Sequence, residues 1–140
     1  MEIAGRVISL RQLHSVAHGN EPVTLTAEAR SRIERARAVV QSILERGDVV
    51  YGVSTGFGKF SDVRIEPAAL RQLQLNLVRS HCCGLGQPLS IPEVRAMMLL
   101  RANVLALGLS GVSMGVVELL GEMLNRKVTP VVPEKGSVGA

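Results

Sequence analysis

The chain has 140 residues, enough for one domain with its own core and short of a comfortable two. Hydrophobic residues make up 46% of it but aromatics only 2%, so its core is aliphatic and its composition leans helical, away from a β-sandwich or barrel. The net charge of +4 forms no single-sign stripe, because Arg30, Arg32, Arg35 and Arg37 are interleaved with Glu28, Glu34 and Glu45, and three aromatic rings are too few to stack on bases; no nucleic-acid partner is expected.

Ile3 to Leu10 reads as a short extended piece, after which Ser9 caps a helical turn through Arg11, Gln12, Leu13 and Val16 that Gly19-Asn20 ends. Thr26 caps a helix from Ala27 to Arg46, with Ile33, Ala36, Val40, Ile43 and Leu44 at helical spacing and Gly47 as its stop. Glu28 and Arg32, at i and i+4, fall on its outer side. Asp48-Val49-Val50-Tyr51 is a short extended run into a glycine-rich loop. A third helix runs from about Pro67 to Cys82, with Leu70, Leu73 and Leu77 along one side and His81 in its last turn. Cys82 and Cys83 are adjacent, so they cannot staple distant segments, and with His81 they cannot wrap a metal as separated ligand pairs do. They read as buried or half-buried thiols in a reducing cytoplasm.

Ser90-Ile91-Pro92-Glu93 is a capping box with proline in the first turn, and it opens a long helix. From Val94 to Leu107 that helix is apolar on nearly every side, which suits the middle of a bundle. A bilayer span needs roughly 20 mostly apolar residues, so no membrane partner is expected. Gly108, Ser110 and Gly111 interrupt it. A further helix from about Ser113 to Asn125 turns Val116, Leu119, Leu120 and Met123 inward, and Pro130 and Pro133 end it. Glu134 to Ala140 reads as a loop with no following element. The N-terminus shows no basic segment followed by an unbroken apolar run and a cleavage site, so a cytoplasmic protein is expected.

The loop Gly52-Val53-Ser54-Thr55-Gly56-Phe57-Gly58-Lys59 invites a phosphate-binding reading and fails both templates. A P-loop needs glycine where Val53 stands and a hydroxyl where Phe60 stands, and a dinucleotide fingerprint from Gly56 needs glycine where Ser61 stands. By position alone, Tyr51 is either a strand-end residue or a catalytic group. His81 is either an imidazole favoured by the dipole at a helix C-terminus or a functional one.

Four separated motifs narrow the choice: Tyr51-Gly52-Val53-Ser54-Thr55-Gly56-Phe57-Gly58, Asn76-Leu77-Val78-Arg79-Ser80-His81, Leu100-Arg101-Ala102-Asn103, and Pro130 through Ala140. In this order and spacing they closely resemble the aromatic amino-acid ammonia-lyases, the histidine-specific branch above all. The resemblance implies a mainly α fold: a long-helix bundle with a short extended N-terminal piece, the N-terminal part of an ammonia-lyase/aspartase-like helical fold. Residues 1–140 would then be the N-terminal segment of a larger all-α catalytic subunit, inactive alone and assembled as a homotetramer.

In that family an Ala-Ser-Gly triad cyclises to a methylidene-imidazolone, a strong electrophile built without metal or nucleotide. By match Ala140 is its first member, and the Ser and Gly are absent from this sequence. Tyr51 matches the tyrosine that takes the β proton of the amino-acid substrate. A phenol titrates at about pH 10, so that role demands neighbours that hold it lower. Its glycine-rich setting, Gly52, Gly56 and Gly58, suits a lid. His81 matches a position that contacts the substrate ring, where imidazole favours histidine or tyrosine over phenylalanine, and Asn76 is a weaker match near the substrate. Two alternatives stand beside this reading: a tyrosine ammonia-lyase or aminomutase with the same electrophile, and a catalytically silent helical interaction module.

Overall fold

Nine short elements follow one another among the described residues: β1 (Glu2–Ile3), α1 (Leu10–Ala17), β2 (Thr24–Leu25), α2 (Ala27–Arg46), α3 (Pro67–His81), β3 (Gly84–Pro88), α4 (Ile91–Leu105), α5 (Met114–Asn125) and β4 (Pro133–Gly136). The computed structural model describes residues 1–55, 65 and 67–137. The chain divides into one unit of residues 1–39 and 88–132 and a second of residues 40–87 and 133–140. No described helix is long and apolar enough to cross a membrane.

Local chemistry sets the helix ends. Ser9 Oγ accepts from the Gln12 amide at 3.3 Å while Gln12 Oε1 accepts from the Ser9 amide at 2.9 Å, the reciprocal box that starts α1. Thr26 Oγ1 accepts from the Ala29 amide at 3.2 Å and starts α2. Gly47, at φ 70°, stops α2 with a paired closure in which its own amide reaches Leu44 O and the Asp48 amide reaches Ile43 O, both at 3.2 Å. At α4, Glu93 Oε2 accepts from both the amide (2.7 Å) and the hydroxyl (2.6 Å) of Ser90.

In the first unit α4 packs against α1 and α5, and β1 pairs in parallel with β2 in the register Glu2 to Thr24 and Ile3 to Leu25. Ile3, Val16, Ile33, Leu99 and Leu124 are among the side chains sealed in this core. Full burial of each contributes on the order of 2 kcal/mol. Arg95 is sealed among them as well, bonded to backbone carbonyls of α1 and α5.

Several expectations need correction. The N-terminal extended piece is strand only at Glu2–Ile3. Arg32 does not face outward: its Nη2 donates to Ala4 O at 2.6 Å and Ala106 O at 3.1 Å, because those carbonyls offer it better partners than Glu28 does. On α5 the buried residues are Val117 and Leu124, with Leu120 and Met123 partly covered, while Val116 and Leu119 are exposed. The inward stripe lies about one residue from the expected one, since the α4 contact sets the helix rotation. Nor does α5 wait for proline: Lys127 at φ 58° and the bond from the Val128 amide to Met123 O at 2.9 Å close it five residues before Pro130. The α4 helix is central to its unit, yet Met97, Leu100 and Val104 on it are 44–50% exposed.

The second unit holds the C-terminal part of α2, a turn, α3 and the ribbon of β3 with β4. Only Ser54 and Thr55 are buried among its described residues. Asp48 to Tyr51 enters a turn in place of a strand. On α3, Leu73 and Leu77 are half-buried as expected, and the side chain of Leu70 lies outside the described ones. Cys82 and Cys83 are exposed free thiols, against the expected burial, because they follow the last turn of a helix that is itself mostly exposed. Glu134 to Gly136, expected as loop, belong to β4. Its approach to β3 depends on glycine: a β-carbon on Gly84 would stand 2.4 Å from Pro133 Cγ, and one on Gly136 2.8 Å from Cys83 O.

Candidate active site

Tyr51, Gly52, Asn76 and His81 all belong to the second unit. Gly56, Gly58 and Ala140 lie outside the described residues.

Tyr51 is the first residue of a turn through Ser54 and is 60% exposed. The amides of Val53 and Ser54 both reach Val50 O at 3.0 Å, and Gly52 takes φ 72°, a conformation costly for any side-chain-bearing residue. Two buried hydroxyls hold this turn. Ser54 Oγ donates to Asp48 O at 2.6 Å and accepts from the Val50 amide at 2.9 Å, while Thr55 Oγ1 accepts from the Gly52 amide at 3.3 Å. Neither is among the site residues that the family resemblance implies. Their signal was present, since Ser and Thr within a turn characteristically bond nearby backbone.

His81 ends α3 and is exposed. Its Nδ1 lies 2.9 Å from Leu77 O and 2.9 Å from Ser80 Oγ, which itself donates to Leu77 O at 2.9 Å. A carbonyl oxygen only accepts, so the contact with Leu77 puts the ring hydrogen on Nδ1. In the neutral ring that leaves Nε2 as an acceptor. The helix end thus directs the imidazole and favours the hydrogen on Nδ1.

Asn76 has a different setting. Its Oδ1 accepts from Gln72 Nε2 at 2.8 Å, an exposed i, i+4 pair on α3. Five residues separate it from His81, a rotation of about 140° around the helix, so the two do not share one side. Beyond His81, Cys82 Sγ contacts Arg79 O at 3.3 Å, and β3 and β4 carry the chain toward position 140. Among the described residues no three His, Cys, Asp or Glu side chains gather so as to hold a metal ion.

A sequence profile of the family described as aromatic amino acid lyase matches residues 8–140. The chain belongs to the aromatic amino acid lyase family. It is 50% identical over 140 residues to the histidine ammonia-lyase of Koribacter versatilis, covering 100% of this chain and 27% of that protein. The histidine ammonia-lyase of Trypanosoma cruzi superposes with a TM-score of 0.88 at 36% identity, over 99% of this chain and 26% of that one. The tyrosine aminomutase of Streptomyces globisporus superposes with a TM-score of 0.91 at 33% identity, over 98% and 26% respectively. This lyase-family chain therefore spans about a quarter of the length of the relatives it matches. Its mainly helical fold is that of the ammonia-lyases, as the four motifs implied.

Proposed function

We propose that the full-length protein eliminates ammonia from L-histidine to give urocanate, and that this segment contributes the base, the group that selects the substrate ring, and Ala140 of the electrophile-forming triad. The observation that carries the reading is the 50% identity, across the whole chain, to a histidine ammonia-lyase. The reaction must break a weakly acidic β C–H bond and expel an amine. Tyr51, exposed on a turn pinned by Ser54 and Thr55, takes the β proton on its deprotonated phenolic oxygen as the C–H electron pair forms the new double bond and the C–N bond breaks. His81 offers Nε2 to a ring N–H of the substrate, in the tautomer favoured by Leu77.

The methylidene-imidazolone supplies, once formed, an electrophile that makes the amine a leaving group. In the described residues before Ala140, β4 is bonded to β3, with Gly136 close against the Cys83 carbonyl. With only Ala140 of the triad in the sequence, the 140 residues alone are inactive on this reading. The same reading carries a cytoplasmic homotetramer, in which the exposed Leu75 and Val78 of α3 and Met97 and Val104 of α4 find cover.

The likeness to a tyrosine aminomutase favours a second reading, with L-tyrosine as substrate, since a phenol hydroxyl can donate to the same Nε2. Full-length protein assayed for consumption of the two amino acids, which registers an aminomutase that returns the amine as well as a lyase that releases it, separates them. Faster turnover of histidine supports the first reading, faster turnover of tyrosine replaces it with the second, and turnover of neither rejects both.

A further inference from the structure

The described histidines outside the candidate active site are His14 and His18, and neither the fold nor the proposed chemistry uses them. They stand at i and i+4 on α1 and its C-terminal cap, so both project from one side of the helix. Their rings are stacked, with centroids 4.4 Å apart and planes 17° from parallel. Both residues are exposed, whereas Val16, two residues from each, is buried on the opposite side. The pair lines an open groove of about 520 Å³ with Ala17, Ser90, Pro92 and Glu93.

We propose that His14 and His18 form a two-imidazole chelate for a divalent transition ion of the kind that favours nitrogen donors, such as nickel, copper or zinc. Imidazole suits these ions, which bind it at about 2.0–2.1 Å. Two such bonds at right angles bring the nitrogens about 3 Å apart. Near-parallel rings with centroids 4.4 Å apart do not present both lone pairs to one point, so binding turns the two imidazoles about their side-chain torsions until their nitrogens converge, on a backbone already set at i and i+4. The helix prepays the ordering, since the C-terminal His18 remains in right-handed helical conformation at φ −101°, ψ −42°, and its amide bonds His14 O at 2.9 Å. Glu93 is committed to Ser90 through Oε2, and no third His, Cys, Asp or Glu joins the pair among the described residues. The site is therefore two-coordinate from this segment, with its remaining positions open to water or to a donor from another molecule.

Untagged full-length protein, stripped with a chelator and titrated with nickel by equilibrium dialysis, tests the assignment against His14→Gln, His18→Gln and the double variant. The parent should hold one more ion per chain than the double variant. Because the second imidazole binds intramolecularly, loss of either one should weaken that ion on the order of 100-fold, and the double variant should lose little more. Counting only the ion lost on substitution removes the contribution of the exposed thiols Cys82 and Cys83. If the parent and double variant bind equally, or if the two single variants each keep half of an additive effect, the chelate is refuted. Unchanged melting temperatures in the absence of metal show that each variant is folded, and a nickel-induced rise in melting temperature confined to the parent supports the chelate.

Discussion

The buried guanidinium of Arg95 donates through Nη1 to the carbonyl of Leu124 at 3.0 Å, tying α4 to the last turn of α5. Its Nε and Nη2 reach Val16 O, at 3.2 and 2.9 Å, in the last turn of α1. Two helix C-termini thus converge on one cation, each presenting a last-turn carbonyl and the negative end of its dipole, with Leu124 O accepting from the Lys127 amide at 3.3 Å as well. Arg95→Met fills similar space with no donor and leaves both carbonyls buried. We expect it to lower stability by about 3 kcal/mol, read as a drop in denaturant midpoint. Arg95→Lys should recover only part, since one ammonium cannot present the fork that reaches both carbonyls.

That arrangement marks the limit of what the sequence discloses. The bounds of α2 are legible because Thr26 and Gly47 act on backbone within a few residues of themselves, and the Ser90-Glu93 box is legible for the same reason. Arg95 reads in sequence as an interruption of an apolar helix, because its partners lie 79 and 29 residues away. The rotation of α5 and the inward turn of Arg32 are likewise set by packing that no local pattern encodes. At the candidate site, Tyr51 and His81 are picked out by resemblance and Ser54 is of a residue type that anchors turns, while the partners Ser54 takes and the favoured tautomer of His81 follow only from distances.

Glu93 gives the fold a pH dependence of known sign. The hydroxyl and amide of Ser90 hold its carboxyl below the ordinary glutamate range. A carboxyl with a lowered folded-state value stabilises the protein above the unfolded value, about 4.3, and this contribution is lost as pH falls through the folded value. Glu93→Gln keeps an oxygen for the Ser90 amide, as Gln12 does for Ser9, but cannot titrate. Its stability should therefore fall less steeply than the parent's on acidification below the ordinary glutamate value. Parallel curves for the two proteins would show that the box does not couple to pH.

Lys127 closes α5 in a left-handed conformation, at φ 58°, where helices commonly use glycine. The β-carbon makes that conformation unfavourable by roughly 1–2 kcal/mol, and glycine returns part of this through greater freedom in the unfolded chain. Lys127→Gly should raise stability by about 0.5–1 kcal/mol, with the denaturant slope unchanged. A loss of stability would mean that the lysine side chain contributes more than its backbone strain removes.

The strongest demand falls on Tyr51 and the turn beneath it. Tyr51→Phe retains the ring and removes only the phenolic oxygen that the proposed chemistry uses. Turnover of histidine by the full-length protein should drop on the order of 10²–10⁴-fold while the melting temperature stays put. Ser54 is a positioning residue on this view: Ser54→Ala deletes the bonds to Asp48 and Val50 that hold the turn, yet leaves the phenol in place. Its kcat should fall by less, up to the order of 100-fold, with KM little changed because the substrate-ring contact at His81 is untouched. A purely structural serine would instead lower the melting temperature and leave kcat of the folded protein unchanged. If Tyr51→Phe keeps substantial activity, the base lies elsewhere, and the hydroxyls of Ser54 and Thr55 secure a turn with no part in proton transfer.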